Sequence, residues 1–177
     1  MNRDRYKIYN NKYPYFVTIT IIQWLPILGI KKIRDIVVDS IKYLQRNKKM
    51  VLYAYVIMEN HMHMVIQVDD VQEIISKFKS FTARQIIDYF KESNHQDILK
   101  LLGFFKLQHK KDRDFQLWQE GIHPVQIDSI DKMKQKVEYI HNNPVKKGYV
   151  KEPAHWIYSS ARNYNNLESE LEVRMDW

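Results

Sequence analysis

Apolar residues fall along this chain in two periods, and the switches between them mark its elements. Tyr13–Ile22 is rich in aromatic and β-branched residues and predicts a strand, which Pro26 and Gly29 end. From Lys31 to Asn47 the apolar positions are Ile33, Ile36, Val37, Ile41 and Leu44, the spacing of a helix with one buried face. Val51–Met58 is a nearly unbroken apolar run and predicts a central strand. Glu59 and Asn60 make a turn, and His61–Val68 predicts a second strand folding back as a hairpin. Val71–Lys91 returns to helical spacing, with Ile74, Ile75, Phe78, Ile86, Ile87 and Phe90 on one side.

The second half is less regular. Within Ser93–Asp114, Ile98–Phe105 reads as a short helix and His109–Asp114 as an exposed charged loop. Phe115–Trp118 and Ile122–Ile127 read as short strands. Asp128 or Ser129 caps a helix running to about Asn143, where Pro144 disfavours continuation. The order strand, helix, strand, strand, helix, strand, helix fits an α+β fold: a ferredoxin-like sandwich, its antiparallel sheet carrying helices on one face. With 177 residues and no repeat or linker, a single domain over 1–177 is expected, its core spanning about 13–164.

Composition narrows the function. The chain has no cysteine, which removes a disulfide framework, a zinc ribbon and a thiol nucleophile together. It has only 4 glycines and no GxGxxG or GxxxxGK[ST] motif, so no nucleotide cofactor is expected. Residues 1–14 are polar and charged, unlike a signal peptide, and the apolar stretch 15–30 is interrupted by Thr18, Thr20, Gln23, Pro26 and Gly29. The expectation is a soluble, cytoplasmic protein with no membrane partner. Lys and Arg number 28 against 21 Asp and Glu, a net charge of +7 that favours a polyanionic partner.

Three groups of residues carry candidate chemistry. His61 and His63 are two apart on a predicted strand and so project from one face, roughly 7 Å apart at Cβ. Two imidazoles on a rigid strand are half of a divalent-metal site, and a third ligand must come from elsewhere. On the last helix Ile130, Met133, Val137 and Ile140 form the apolar stripe, and Tyr139 lies off it, about 120° from Met133. Lys132, Lys136 and Asn143 share its side, so Tyr139 is placed to meet a phosphate, and Asn143 to offer its carbonyl oxygen to a metal. Two surface histidines and a tyrosine lying over the surface are the plainer reading of the same residues. Finally, Lys77, Lys79 and Arg84 on one helix, and Lys146, Lys147 and Lys151 after the last, form a basic surface. Phe81, Tyr149 and Trp156 beside it are suited to stacking on unpaired bases.

Together these pieces resemble the single-tyrosine HUH transposases, and within them the REP-associated tyrosine transposases. The resemblance rests on YAYVIMENHMHMVIQ (Tyr53–Gln67), LWQEGIHPVQI (Leu117–Ile127), YIHNNPVKKGYV (Tyr139–Val150) and WIYSSARNY (Trp156–Tyr164). It implies His61 and His63 as ligands of Mg²⁺ or Mn²⁺, with Asn143 completing the site and Tyr139 as nucleophile. It also implies metal-dependent cleavage and rejoining of single-stranded or hairpin DNA through a 5′-phosphotyrosine, and a monomer or a homodimer. Lys77, Lys79, Arg84, Lys132, Lys136, Lys146 and Lys147 are the expected DNA contacts. The chain departs from many relatives in having Glu59-Asn60, not Pro-Asn, before the first histidine, which adds a carboxylate able to approach the metal. Ser93–Asp114 matches nothing in the family pattern and reads as an insertion. The alternatives are a non-catalytic or domesticated nucleic-acid-binding protein of the same fold, and a metal-dependent phosphodiesterase that uses water. Neither gives the off-stripe Tyr139 a role.

Overall fold

The computed structural model describes residues 11–177; most of the polar stretch 1–14 lies outside the described residues. Strand β1 (Tyr15–Thr20) is followed by helix α1 (Lys31–Arg46), strands β2 (Val51–Ile57) and β3 (His61–Gln67), and helix α2 (Val71–Glu92). Helix α3 (Gln96–Phe104), strand β4 (Val125–Gln126), helix α4 (Ile130–Lys146) and the single turn α5 (Ala161–Tyr164) complete the order. The sheet runs β2-β3-β1-β4, and its paired neighbours are antiparallel. This is the α+β arrangement that the order of elements predicts.

Alternation along the strands divides the core in two. Tyr15, Val17 and Ile19 of β1 join Met62, Met64 and Ile66 of β3 on one face, where α1 and α2 bury Ile33, Val37, Ile75, Phe78 and Ile86. Phe16, Ala54, Val56 and Val65 point to the opposite face and pack with Met133, Val137 and Ile140 of α4. The sheet is therefore covered on both sides, a correction to the expectation of helices on one face. The cause is visible in β2 and β3, which are apolar on both faces and need cover on both.

Other boundaries move for local reasons. Predicted strands over Phe115–Trp118 and Ile122–Ile127 shrink to one bridge, Ile21 with Trp118, and to β4. Side chains hold this segment where a ladder was expected. The Gln116 side chain accepts from the Leu107 amide and donates to the Trp118 carbonyl, and the Trp118 indole donates to Thr82 Oγ1 at 3.0 Å. Within the segment read as an insertion, α3 packs on α2 and buries Leu99 and Leu102 in the larger core. Helix α4 continues past Pro144 to Lys146. It ends at Gly148 (φ 76°), whose amide bonds the Val145 carbonyl while the Tyr149 amide bonds that of Pro144. This glycine cap satisfies the last carbonyls and fixes Tyr149 in place.

Two further segments shape the site. Tyr158, Ser159 and Ser160 pair with the open edge of β2 through Ile57 and Tyr55, covering an otherwise unpaired edge. After β1 the chain turns through Gln23 (φ 52°) and Trp24 (φ 56°), two successive residues in the left-handed region. Such backbone costs of order 1–3 kcal/mol per residue and persists only where its surroundings fix it. Here Ile21 and Ile22 are buried, their amides bonded to the Asn60 and Leu117 carbonyls.

Candidate active site

The pleat of β3 sends Met62 and Met64 into the larger core and His61 and His63 to the face beneath α4. Each histidine is 5% exposed, and the ring centroids are 4.7 Å apart. Register sets Thr18 opposite His63, and Thr18 Oγ1 lies 2.8 Å from His63 Nδ1. His61 Nδ1 donates to Asn60 Oδ1 at 2.7 Å. An amide oxygen only accepts, so the His61 proton sits on Nδ1 and the lone pair on Nε2. Burial pushes His61 down from 6.5 to about 4, with Lys147 lowering it further and Glu59 opposing. Burial also takes His63 down to about 3, helped by His61 and Lys136. Both rings are therefore neutral near pH 7, the form that ligates a metal.

Helix α4 carries the facing residues. Ser129 caps it, accepting from the Lys132 amide at 3.3 Å, and Met133, Val137 and Ile140 seat it on the sheet. Ile130, expected on the buried stripe, is 61% exposed. Tyr139 lies beside the stripe, 40% exposed, its ring edge-on to His63 at 5.2 Å and to Phe16 at 5.8 Å. Lys136 and Lys146 place their ammonium groups 6.0 Å and 5.7 Å from the Tyr139 ring centre. Asn143 is one helical turn beyond Tyr139 on α4. Asn143 is buried, and its Oδ1 is one of three buried side-chain polar atoms without a hydrogen-bond partner among the described residues.

That orphaned oxygen tests the fit of a metal. A buried carbonyl left unpaired is costly, and a cation would satisfy it. Two neutral imidazoles and an amide oxygen, with no thiolate, suit a hard or borderline divalent ion such as Mg²⁺ or Mn²⁺. No group of three His, Cys, Asp or Glu that could hold a metal converges among the described residues. Glu59, the carboxylate next to the pair, accepts a hydrogen bond from the Tyr149 hydroxyl, and Tyr149 stacks on Trp156 with centroids 5.6 Å apart.

The other cations named from the sequence divide by location. Lys136, Lys146 and Lys147 surround the site. Lys132 belongs to α4 but pairs with Asp128 at 3.1 Å. Lys77, Lys79 and Arg84 belong to α2, in the layer across the sheet from Tyr139. Lys77 pairs with Glu73, and Lys79 donates to the Gln119 and Gly121 carbonyls at 2.6 and 2.9 Å. Burial, with Lys110 adding to it, takes Lys79 down to about 8 against the opposing pull of Glu120. Arg84 lines a cleft between α2 and the segment 110–122. Phe81 is exposed on that same helix, away from the histidines. Sequence reading did not single out Thr18 or Trp24, whose ring is 5.5 Å from His61. Thr18 reaches the site through the β1–β3 register and Trp24 through the turn after β1, and the linear pattern contains neither.

Buried neutral histidines set a pH dependence. His61, His63 and His141, the last also lowered to about 4 by burial, stay unprotonated in the fold well below 6.5. The unfolded chain takes up protons at these positions as pH falls through about 6.5, so it binds more protons than the native state and stability falls. Each imidazole contributes a slope of about 1.4 kcal/mol per pH unit between about 6.5 and 4. Urea unfolding at pH 7 and pH 4.5 is expected to show a clearly lower midpoint at the acid value; equal midpoints contradict the neutral assignment.

Fold and site together define the class: an antiparallel sandwich that presents paired histidines from a strand to a tyrosine on a covering helix. The chain belongs to the IS200-like transposase family, whose model, Transposase IS200 like, matches residues 26–143 and so includes His61, His63, Tyr139 and Asn143. A solved REP-associated tyrosine transposase bound to a REP hairpin shares the fold, with TM-score 0.60 and 19% identity, covering 100% of this chain and 94% of that one. A proposed transposase from Deinococcus radiodurans R1 aligns over 80% of this chain and 97% of its own, with TM-score 0.47 and 17% identity. A comparison with curated proteins found no match. No helix among the described residues is long and apolar enough to cross a membrane.

Proposed function

We propose that this transposase cleaves and rejoins single-stranded DNA at hairpin-flanked sites through a 5′-phosphotyrosine on Tyr139. The observation that carries the reading is the Tyr139 ring lying edge-on to His63, with the orphaned Asn143 Oδ1 one helical turn away. His61, His63 and Asn143 would hold a divalent ion, Mg²⁺ or Mn²⁺, which when bound supplies Lewis-acid polarisation of the scissile phosphate.

The chain's own groups account for the rest. Thr18 and Asn60 fix the histidine rings from their Nδ1 sides. Lys136 and Lys146 beside Tyr139 attract the phosphate and offset the negative charge that builds on it. Tyr139 Oη bonds to phosphorus while the bond to the 3′-oxygen breaks, and that oxygen leaves as a 3′-hydroxyl. A 3′-hydroxyl attacking the phosphotyrosine reverses the step and rejoins DNA. The covalent link conserves the bond, so no ATP is required. The hairpin held by the REP-associated relative supports a hairpin as the duplex part of the substrate. A labelled hairpin oligonucleotide with a single-stranded flank, incubated with Mn²⁺ or with EDTA, tests this on a denaturing gel. A slow-migrating protein–DNA adduct with Mn²⁺ alone is expected. Binding without adduct, on hairpins from the repeats flanking the gene, would favour the domesticated DNA-binding reading.

A further inference from the structure

Resting on that reading, we propose that Trp24 is a stacking platform for the base immediately 5′ of the scissile phosphate, the nucleotide that carries the leaving 3′-oxygen. Four observations lead there. Trp24 is 54% exposed, so its ring is available to a ligand. Its ring meets His61 edge-on at 5.5 Å. Its backbone is held in the left-handed region at φ 56°, after Gln23 at φ 52°, by a turn whose flanking Ile21, Ile22, Ile27 and Leu28 are buried. Buried neighbours thus fix the backbone beneath the ring, and a side chain presented at such a cost in backbone conformation points to a functional position.

The fourth observation is its place relative to Tyr139. Tyr139 contacts Phe16 and His63, and Phe16 is the register partner of Val65, so the nucleophile stands toward the Val65 end of the histidine pair. Trp24 contacts His61, at the other end, beyond Thr20. In-line displacement places the leaving oxygen on the side of phosphorus away from the attacking phenol. The departing nucleotide thus lies on the His61 side, where Trp24 offers the face of an aromatic ring to its base. After cleavage the same stack keeps the free 3′-end beside the phosphotyrosine, poised to reverse the step.

The test is an abasic scan. Each unpaired position of a hairpin oligonucleotide is made abasic in turn. Binding is measured by fluorescence anisotropy in the Tyr139→Phe background, with Trp24 intact, Trp24→Ala or Trp24→Phe, and the cut is mapped separately with the unaltered enzyme. One abasic position is expected to weaken binding about ten-fold with Trp24 present and to have no effect with Trp24→Ala, the worth of one base–aromatic stack. Trp24→Phe should restore part of the difference, and thermal melting of each variant checks the fold. The coupled position should be the one directly 5′ of the mapped cut. Uniform weakening at every position, or coupling at a base 3′ of the cut, overturns the proposal. Coupling directly 5′ of a mapped cut that the unaltered enzyme makes without forming an adduct would leave the platform standing and remove the phosphotyrosine reading, so the two fail separately.

Discussion

Tyr139→Phe is expected to abolish the covalent protein–DNA adduct while leaving hairpin binding within about two-fold. The change removes one oxygen from a side chain that is 40% exposed. That side chain makes ring contacts with His63, Phe16, Lys136 and Lys146, and a phenylalanine keeps each of them. Neither packing nor the basic surroundings change, so affinity should hold. Chemistry has no substitute, because water cannot form the link that conserves the phosphodiester bond. Loss of a nucleophile from a working site costs on the order of 10⁴-fold or more, which on a gel is no adduct. Continued strand cleavage by the Phe variant would mean that water or another residue attacks, and would support the hydrolytic phosphodiesterase reading.

Asn143→Leu should cost activity while leaving stability near that of the parent. Leucine keeps the branched, four-heavy-atom shape of asparagine, though its methyl groups are bulkier than the amide atoms, and position 143 continues the buried face of α4 beside Ile140 and Pro144. The native Oδ1 is buried with no hydrogen-bond partner. Removing a desolvated, unpaired carbonyl relieves a penalty of about 1–3 kcal/mol, which offsets a similar cost of fitting the larger side chain, so the variant should unfold in urea close to the parent. On the proposed metal site, loss of one of three protein ligands should lower cleavage by about a hundred-fold or more, since outer partners alone are worth 10–100-fold. Excess Mn²⁺ should restore part of the rate, as expected when the defect lies in ion affinity. A destabilised variant with unchanged cleavage would instead make Asn143 a structural residue.

Much of this was legible in the chain because the deciding features are local. The alternation of His61 and His63 against Met62 and Met64 follows from strand geometry alone, and the structure puts the methionines in the core and the histidines beneath α4. The displacement of Tyr139 from the stripe of Met133, Val137 and Ile140 follows from helical period in the same way. Less legible were features set by tertiary pairing. α4 crosses the second face of the sheet because Phe16, Ala54, Val56 and Val65 also require burial, and a period-two count in such apolar strands assigns no outer face. The strands expected over 115–127 gave way to side-chain bonds from Gln116 and Trp118, which carry no periodic signature. Charge does not tell location for a related reason. Lys77, Lys79 and Arg84 resemble Lys136 and Lys146 in sequence, yet the sheet separates them from Tyr139, and Lys79 is held by carbonyls of Gln119 and Gly121.

The most direct measurement of the central claim is to locate the covalent bond itself. The enzyme is reacted with a hairpin oligonucleotide and Mn²⁺, the adduct is digested with nuclease and protease, and the modified peptide is sequenced by tandem mass spectrometry. A nucleotide joined to Tyr139 through its 5′-phosphate, and a free 3′-hydroxyl on the released strand, are expected. A phosphate on Tyr149 or any other residue, or cleaved DNA with no modified peptide, would contradict the claim.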